Sequence, residues 1–403
     1  MTKKLFEGVK VAQFGWFVVG PVTGEYLGEF GAEVIKIESI SRPDPQRLMS
    51  PFKGDKIGVN RGSFWVAVNT NTYSVALNLN HLKGMEIAKK IVARADIVID
   101  SFTPGVMAKW GLSYEDLKKI NHDIIMLSTC MFGQTGPLSK MPGYGGTLTA
   151  MSGINNITGW PDQLPSGPYG AYTDWIVPRF AAFAIIAALT YRLRTGEGQF
   201  IDLSQYETAL NFVTPLILDY EVNERESNRI GNRSPAAAPY GVYRCMGEDK
   251  WCAIAVVNDE EWRNFCQVIG NPTWSMDSKF ATLVSRLENA DELDGLVEQW
   301  TAKRSPEEVM TLMQRVGVAA GVVQSCEDLD NNPQLKHRGY FWNLDHPEIG
   351  THRCGTLGIQ LSKTPRELRR APLLGEHTEY VCTKLLGLSD QEFIQLYDEG
   401  VFE

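Results

Sequence analysis

The chain has 403 residues, 43% of them hydrophobic and 22% charged, with a formal net charge of −9. That length exceeds what one hydrophobic core usually supports and predicts two domains. The acidic balance speaks against a nucleic-acid surface, which needs a basic face, but leaves room for an anionic ligand held by a few local cations.

The first half alternates strand and helix signals. Val9–Gly15 reads as a strand and is followed by a helical stretch from Val22 to Glu29. Glu33–Glu38 and Tyr73–Leu79 read as further strands, with a helix over Lys83–Ala95. Asp96–Phe102 and Asp123–Thr129 continue the series. Short apolar strands separated by helices predict an α/β fold built on a parallel sheet with helices on its faces. Ligands of such sheets sit at the carboxyl ends of the strands. That rule brings Gly15–Pro21, Glu38–Arg47, Ser101–Gly105 and Cys130–Gly136 to one rim. The first loop, Gly15-Trp-Phe-Val-Val-Gly20, lacks the G-x-G-x-x-G that lets a dinucleotide approach the backbone, which makes NAD a weak alternative.

A glycine- and proline-rich stretch, Tyr144 to Gly170, leads to a helix over Pro178–Arg194, stopped by Thr195-Gly-Glu-Gly198. Its greasy centre, Phe180–Leu189, is too short to span a bilayer and lies between Arg179 and Arg192, so a buried core helix is expected and no membrane partner. Gln199–Leu203 reads as one more strand. After the polar segment Glu221–Ser234 the pattern changes to Trp251–Val257 as a strand and Glu260–Ile269 and Pro306–Val316 as helices, a smaller domain. The tail from Leu329 reads as loop-rich, with a final helical pair over Glu376–Leu386 and Asp390–Tyr397.

Seven cysteines, an odd number without a C-x-x-C pair, point to reduced thiols and a cytoplasmic location. The start of the chain has no apolar signal run. Six scattered histidines, with His346 and His352 near Cys354 at no zinc-finger spacing, predict no metal site.

Several segments, in order and across nearly the whole chain, resemble the family III CoA-transferases, with formyl-CoA and carnitine CoA-transferases among them. They are Leu5-Phe-Glu-Gly-Val-Lys-Val-Ala, Gly20-Pro21, Gly31–Glu38, Ala95–Gly105, Gly111-Leu, Phe132–Pro137, Arg194–Leu203, Arg370–Thr378 and Leu386-Gly-Leu388. Each pattern is weak by itself, and their ordered recurrence carries the resemblance. It implies a Rossmann-like large CoA-binding domain from residues 1–220 with 330–403 and a smaller α+β domain from 221–329. It further implies an interlocked dimer, either a homodimer or a heterodimer with a related subunit. Coenzyme A thioesters and small carboxylic acids are the implied substrates, with no tightly bound cofactor.

Within the resemblance, the nucleophilic carboxylate matches Asp174 in Ala171-Tyr-Thr-Asp-Trp175. A carboxylate that attacks a thioester gives an acyl–aspartyl anhydride, which CoA thiolate converts to an aspartyl–CoA thioester; the acceptor acid then attacks, and the steps reverse. Read locally, Asp174 is more simply a helix cap worth ~0.5–2 kcal/mol, and a helix N-terminus would favour its ionised form. For CoA binding the resemblance points to Val18 and Val19 in the first loop, Leu77, Phe102 and Lys109. Lys109 stands where relatives hold a phosphate-binding arginine, and Ser39 where they hold another, with Arg42 or Arg47 as substitutes. Lys109 otherwise reads as a solvated helix lysine, and Phe102 and Leu77 as core.

The chain also departs from the pattern. Ile176-Val-Pro-Arg179 follows the aspartate where relatives often have glycine or serine, and Val18 replaces the glutamine of the formyl-CoA enzyme. Gly231–Gly241, rich in alanine and proline, replaces a flexible glycine loop, so a smaller gating motion is expected. An acyl-CoA racemase is the nearest alternative, but the histidine it needs matches Tyr144, a phenol with a pKa of ~10. A non-catalytic CoA-binding subunit is the second alternative. Trp16, Phe17, Trp160 and Trp175 are candidate walls of an aromatic pocket, although buried aromatics are usually core. The pattern Tyr-Thr-Asp-x-x-x-Pro-Arg resembles benzylsuccinate CoA-transferase-like members, which implies succinyl-CoA as donor and an aromatic dicarboxylate as acceptor. Arg179 is then a candidate partner for the second carboxylate.

Overall fold

A computed structural model describes residues 3–403. The chain divides into two compact units. One comprises Met1–Ile154, Gly167–Asn223 and Lys336–Glu403; the other comprises Asn155–Ser166 and Glu224–Leu335.

The larger unit is built on six parallel strands: β1 (Lys10–Gln13), β2 (Glu33–Glu38), β3 (Thr72–Ala76), β4 (Ile97–Asp100), β5 (Ile125–Cys130) and β6 (Phe200–Ser204). Their order is β3-β2-β1-β4-β5-β6. This is the doubly wound, Rossmann-like arrangement, in which the order reverses between β1 and β4. Side chains alternate across the sheet, as the period of two requires. Ala12, Ile35, Val98 and Met126 enter one core with Ile87 and Ile91 of the helix Leu82–Ala93 and with Val401 and Phe402. Val11, Val34, Ile97 and Ile125 enter the core on the opposite face.

Helix α1 (Val19–Glu29) follows β1 directly, three residues earlier than expected. Helix α2 (Gly145–Met151) follows β5. The long helix α3 (Tyr172–Thr195) runs back along the sheet to β6 and ends at Gly196, whose φ of 78° places it in the left-handed region glycine tolerates. Helix α4 (Gln205–Leu210) opens at the end of β6.

Two expectations about α3 need correction. It starts at Tyr172 rather than Pro178, and Pro178 lies inside it. Nor is it buried all round. Ala181, Ile185 and Ala188 form a stripe that packs on the sheet, while Phe183 and Leu193 are 72% and 85% exposed. By length and composition α3 would suffice to cross a membrane, but its apolar stripe joins the same core as β1, β4 and β5.

The tail is more ordered than expected. β10 and β11, the strands Phe341–His346 and Gly350–Gly355, pair as an antiparallel hairpin. Of the expected helical pair, the first becomes Thr378–Tyr380 running into a π-helical turn, Val381–Leu385, and the second is borne out as Asp390–Asp398.

The smaller unit is α+β. Strands β7 (Tyr240–Arg244), β8 (Trp251–Ala255) and β9 (Ala319–Val322) form an antiparallel sheet in that order. Tyr243, Cys252 and Ile254 pack there with Trp262, Phe265, Leu293, Val297 and Met313 from three helices, Asp259–Val268, Ala290–Thr301 and Pro306–Arg315. The alanine-rich segment Gly231–Gly241 is anchored in this unit. Arg233 pairs with Asp291 and Asp294 at 2.5 and 2.9 Å. A side chain at Gly231 would collide with the Trp160 ring, so the two pack tightly.

Candidate active site

The order reversal between β1 and β4 opens a cleft at the carboxyl ends of the strands. The loop after β1 contributes Trp16 to Val19, and the loop after β4 contributes Ser101, Phe102 and Thr103. The two loops are latched together. Trp16 N–H donates to Ser101 Oγ, and that hydroxyl donates back to Trp16 O, both at 3.0 Å. Phe17 carries a φ of 61°, a strained value for an aromatic residue, and its N–H donates to Asp44 Oδ1 at 3.2 Å. Asp44 is fixed in turn by the buried Lys36 ammonium, 2.8 Å away, which also donates to Gly15 O at 3.1 Å. The strain turns the chain abruptly into α1. The N–H groups of Val18 and Val19 meet no acceptor among the described residues.

Because α3 runs antiparallel to the strands, its first turn arrives at the same rim. Asp174 lies in that turn and lines the cleft, whose volume is about 270 Å³. It is not the cap; that position belongs to Ala171, and no side chain caps this helix. Gly145, the first residue of α2, makes room for it: a β-carbon there would stand 2.5 and 2.6 Å from the two Asp174 carboxylate oxygens. The hydroxyls of Thr149 and Thr173 both donate to Gly145 O, at 2.8 and 3.4 Å, and hold α2 against α3. Pro178 has no N–H to give the Asp174 carbonyl four residues earlier, so the helix is locally released at this residue.

The Asp174 carboxylate accepts no hydrogen bond from any described residue. Burial pushes its pKa up to about 6. Desolvation by burial is the cause of the rise, and it opposes the ionised form that a helix N-terminus favours. An ionised carboxylate without partners, in a confined cleft, is a competent nucleophile.

The walls are aromatic. Phe102 stands edge-on to Trp16 with centroids 5.6 Å apart, and Phe17 edge-on to Tyr144 at 5.7 Å. Asp100 fixes Phe102: its carboxylate receives the Phe102 N–H at 3.2 Å and the Ser128 hydroxyl, and burial raises its pKa to about 6. No histidine among the described residues lines the cleft.

The other expected residues divide. Val19 and Phe102 line the cleft, and Val18 borders it while packing its side chain on Val22 and Val68. Arg42 is exposed, with its guanidinium 5.9 Å from the Trp16 ring. Lys109, at the end of the short helix Val106–Lys109 after β4, is exposed and has no carboxylate partner among the described residues.

Arg47 must be corrected: it is fully buried and committed to Glu38. Its guanidinium makes two parallel bonds to that carboxylate, at 2.9 and 2.8 Å, donates to Val59 O and Asn60 Oδ1, and lies 3.5 Å over the Trp65 ring. Burial opposes the Glu38 charge, but Arg47, Lys36 and the Ser74 hydroxyl hold its carboxyl below the usual range. Leu77 must also be corrected, because its side chain is in the sheet core. Trp175 turns away from the cleft to stack edge-on with Phe64, and Trp160 packs on Gly231 in the smaller unit. Arg179 donates to Trp175 O and lies 5.8 Å from the Tyr26 ring, in a separate cavity. That cavity is larger, about 650 Å³, but lacks Asp174. The chemistry, not the volume, selects the smaller cleft. Gln205 also lines it and escaped the sequence reading. The available signal was its place just past a strand of the parallel sheet, where polar residues reach the rim.

Comparison with known proteins fixes the class: the chain belongs to CoA-transferase family III, which it matches over residues 6–378. It is 32% identical over 398 residues to the succinyl-CoA–D-citramalate CoA-transferase of Chloroflexus aurantiacus, covering 98% of this chain and 97% of that one. It is 29% identical to the human succinyl-CoA:glutarate CoA-transferase, covering 99% and 90% of the two chains. Among solved structures, a CAIB/BAIF family protein from Brucella suis superposes with a TM-score of 0.87 at 29% identity, covering 95% of this chain and all of that one. The protein is thus a CoA-transferase, an α/β enzyme that uses CoA thioesters as substrates.

Proposed function

We propose that the enzyme moves CoA from succinyl-CoA to a carboxylic acid acceptor through covalent intermediates on Asp174. The observation that carries this reading is the unpaired Asp174 carboxylate lining a cleft that the Val18–Val19 turn also lines. Asp174 Oδ attacks the thioester carbonyl, and the oxygen that becomes negative is met by the free N–H groups of Val18 and Val19. CoA thiolate leaves, then attacks the aspartyl carbonyl of the anhydride and releases succinate. The acceptor carboxylate attacks the aspartyl–CoA thioester, and the same steps in reverse deliver the new acyl-CoA. Phe102 borders the thioester end of CoA, and Arg42 and Lys109, both exposed, are the cations that meet its phosphates.

Two relatives name succinyl-CoA as donor and glutarate or D-citramalate as acceptor. The ring-lined wall of Trp16, Phe17, Phe102 and Tyr144 favours an acceptor that carries a flat apolar group, such as benzylsuccinate. The racemase alternative loses ground because Tyr144, not a histidine, faces the cleft with Asp174. The exposed apolar face of α3, with Phe183 and Leu193, supports a dimer in which a second chain covers it.

The test is a panel of acceptors incubated with succinyl-CoA and purified enzyme, with acyl-CoA products read by mass spectrometry. Benzylsuccinyl-CoA formed at a higher kcat/KM than glutaryl-CoA or citramalyl-CoA supports the aromatic acceptor. Preference for the aliphatic acids transfers the reading to those substrates, and no product with any acceptor contradicts it.

A further inference from the structure

One polar side chain in the cleft has no role in the steps above. Ser204 ends β6, and its hydroxyl accepts the Glu207 N–H at 3.2 Å, so the chain turns into α4 with Gln205 as its first residue. Tyr206 N–H donates to Met131 O at 2.8 Å, tying this turn to the loop after β5. Gln205 is 8% exposed and lines the cleft that holds Asp174. Its carboxamide makes no hydrogen bond to any described residue. Such a group offers two N–H donors and a carbonyl acceptor, and buried carboxamides are normally paired within the protein. One left unpaired in the wall of a reaction cleft is held ready for a ligand.

We propose that Gln205 is a further catalytic residue, whose Nε2 donates to the substrate-derived carbonyl oxygen while bonds form and break at Asp174. This rests on the covalent transfer reading. When Asp174 Oδ bonds to the thioester carbon, the carbonyl π pair moves onto oxygen. Collapse of that oxyanion breaks the C–S bond, and the thiolate leaves with the pair. No proton is transferred, and Gln205 keeps both of its own. Its N–H strengthens as a donor when the oxygen becomes an anion, which lowers the barrier rather than the ground state.

The test uses two variants of the full-length enzyme. Gln205→Met keeps the volume and removes the polar atoms; Gln205→Glu keeps the shape, removes both donors and adds a like charge beside Asp174. Rapid-quench mass spectrometry measures the rate at which the Asp174 peptide is loaded by succinyl-CoA. The expected result is loading slowed by roughly 10²-fold in Gln205→Met, with KM for the donor and the melting temperature near wild type. In Gln205→Glu the acid limb of kcat/KM moves to higher pH, a change that a packing role would not produce. Wild-type loading rates in both variants with an unmoved acid limb would overturn the assignment. Should one variant fold poorly, the other decides. Absence of loading in the wild-type enzyme would overturn the transfer reading itself, and this assignment with it.

Discussion

Gly145 and Asp174 occupy each other's space: a β-carbon on Gly145 would lie 2.5–2.6 Å from both carboxylate oxygens of Asp174 and 2.5 Å from the Ala171 β-carbon. No real β-carbon sits so close, so the glycine is a steric requirement of the carboxylate's position. Gly145→Ala is expected to displace Asp174 and lower kcat by about 10²-fold, the effect of a misplacement of about 1 Å. Far-UV circular dichroism should be unchanged, since the helix itself favours alanine over glycine. Wild-type turnover by Gly145→Ala would show that the carboxylate can be moved without harm.

The pH dependence follows from burial. Desolvation lifts Asp174 from 3.8 to about 6, so the nucleophile is protonated below that pH. The acid limb of kcat/KM is expected near pH 6, with a tenfold loss per unit below it. The sign for stability is opposite to that of a salt-bridged carboxylate. The folded state holds the proton more tightly, so its advantage is complete below pH ~4 and lost as pH rises through 6. Asp174→Asn should therefore melt higher than wild type at pH 7, by about 3 kcal/mol of stability, and by little at pH 4. An equal difference at both pH values would place the cost elsewhere.

Arg42 and Arg47 separate by burial. Arg42→Ala or Lys109→Ala is expected to raise KM for the CoA donor by roughly tenfold while kcat and melting temperature hold. Arg47→Ala leaves the Glu38 carboxylate buried without its main partner and should cost about 3–5 kcal/mol of stability. Steady-state kinetics and thermal melts on the three variants check this. A destabilised Arg42→Ala or a stable Arg47→Ala would reverse the assignment.

Glu25 predicts a loss of stability as pH rises from the acid side to about 8. It is buried on α1, takes the Thr70 hydroxyl at 2.7 Å, and burial lifts its pKa to about 8, with Glu29 adding to the rise. The folded state loses stability as pH rises from the ordinary carboxylate range through 8. Glu25→Gln, neutral at every pH, should keep its melting temperature from about pH 5 to about pH 8 better than wild type. Parallel declines in the two proteins would exclude Glu25 as the cause.

Much of this architecture was legible because parallel strands buried on both faces read as continuous apolar runs, and every strand of the large sheet was located to within a few residues. The start of α3 was not legible, because Pro178 resembles a first-turn proline, Thr173 and Asp174 are residue types that usually cap a helix, and the actual cap, Ala171, has no capping side chain. The rim was legible from topology; the occupants of the cleft were less so. Arg42 and Arg47 are equivalent as sequence, and only the fold shows that Glu38 and Trp65 enclose Arg47. Trp175 adjoins Asp174 in the chain, but successive helical residues point about 100° apart, and its ring leaves the cleft. Gly145 gave no signal of its own, because a close approach between helices is a tertiary fact, and Gln205 gave only its place just past a strand.

The central claim is that Asp174 becomes covalently loaded. The direct measurement is mass spectrometry of the peptide containing Asp174 after incubation with succinyl-CoA, with and without hydroxylamine. The account predicts a donor-dependent aspartyl–CoA adduct that hydroxylamine converts to an aspartyl hydroxamate, and neither species in Asp174→Ala. An unmodified Asp174 peptide during active turnover, with rapid uptake of deuterium from solvent at the substrate α-carbon, would contradict it.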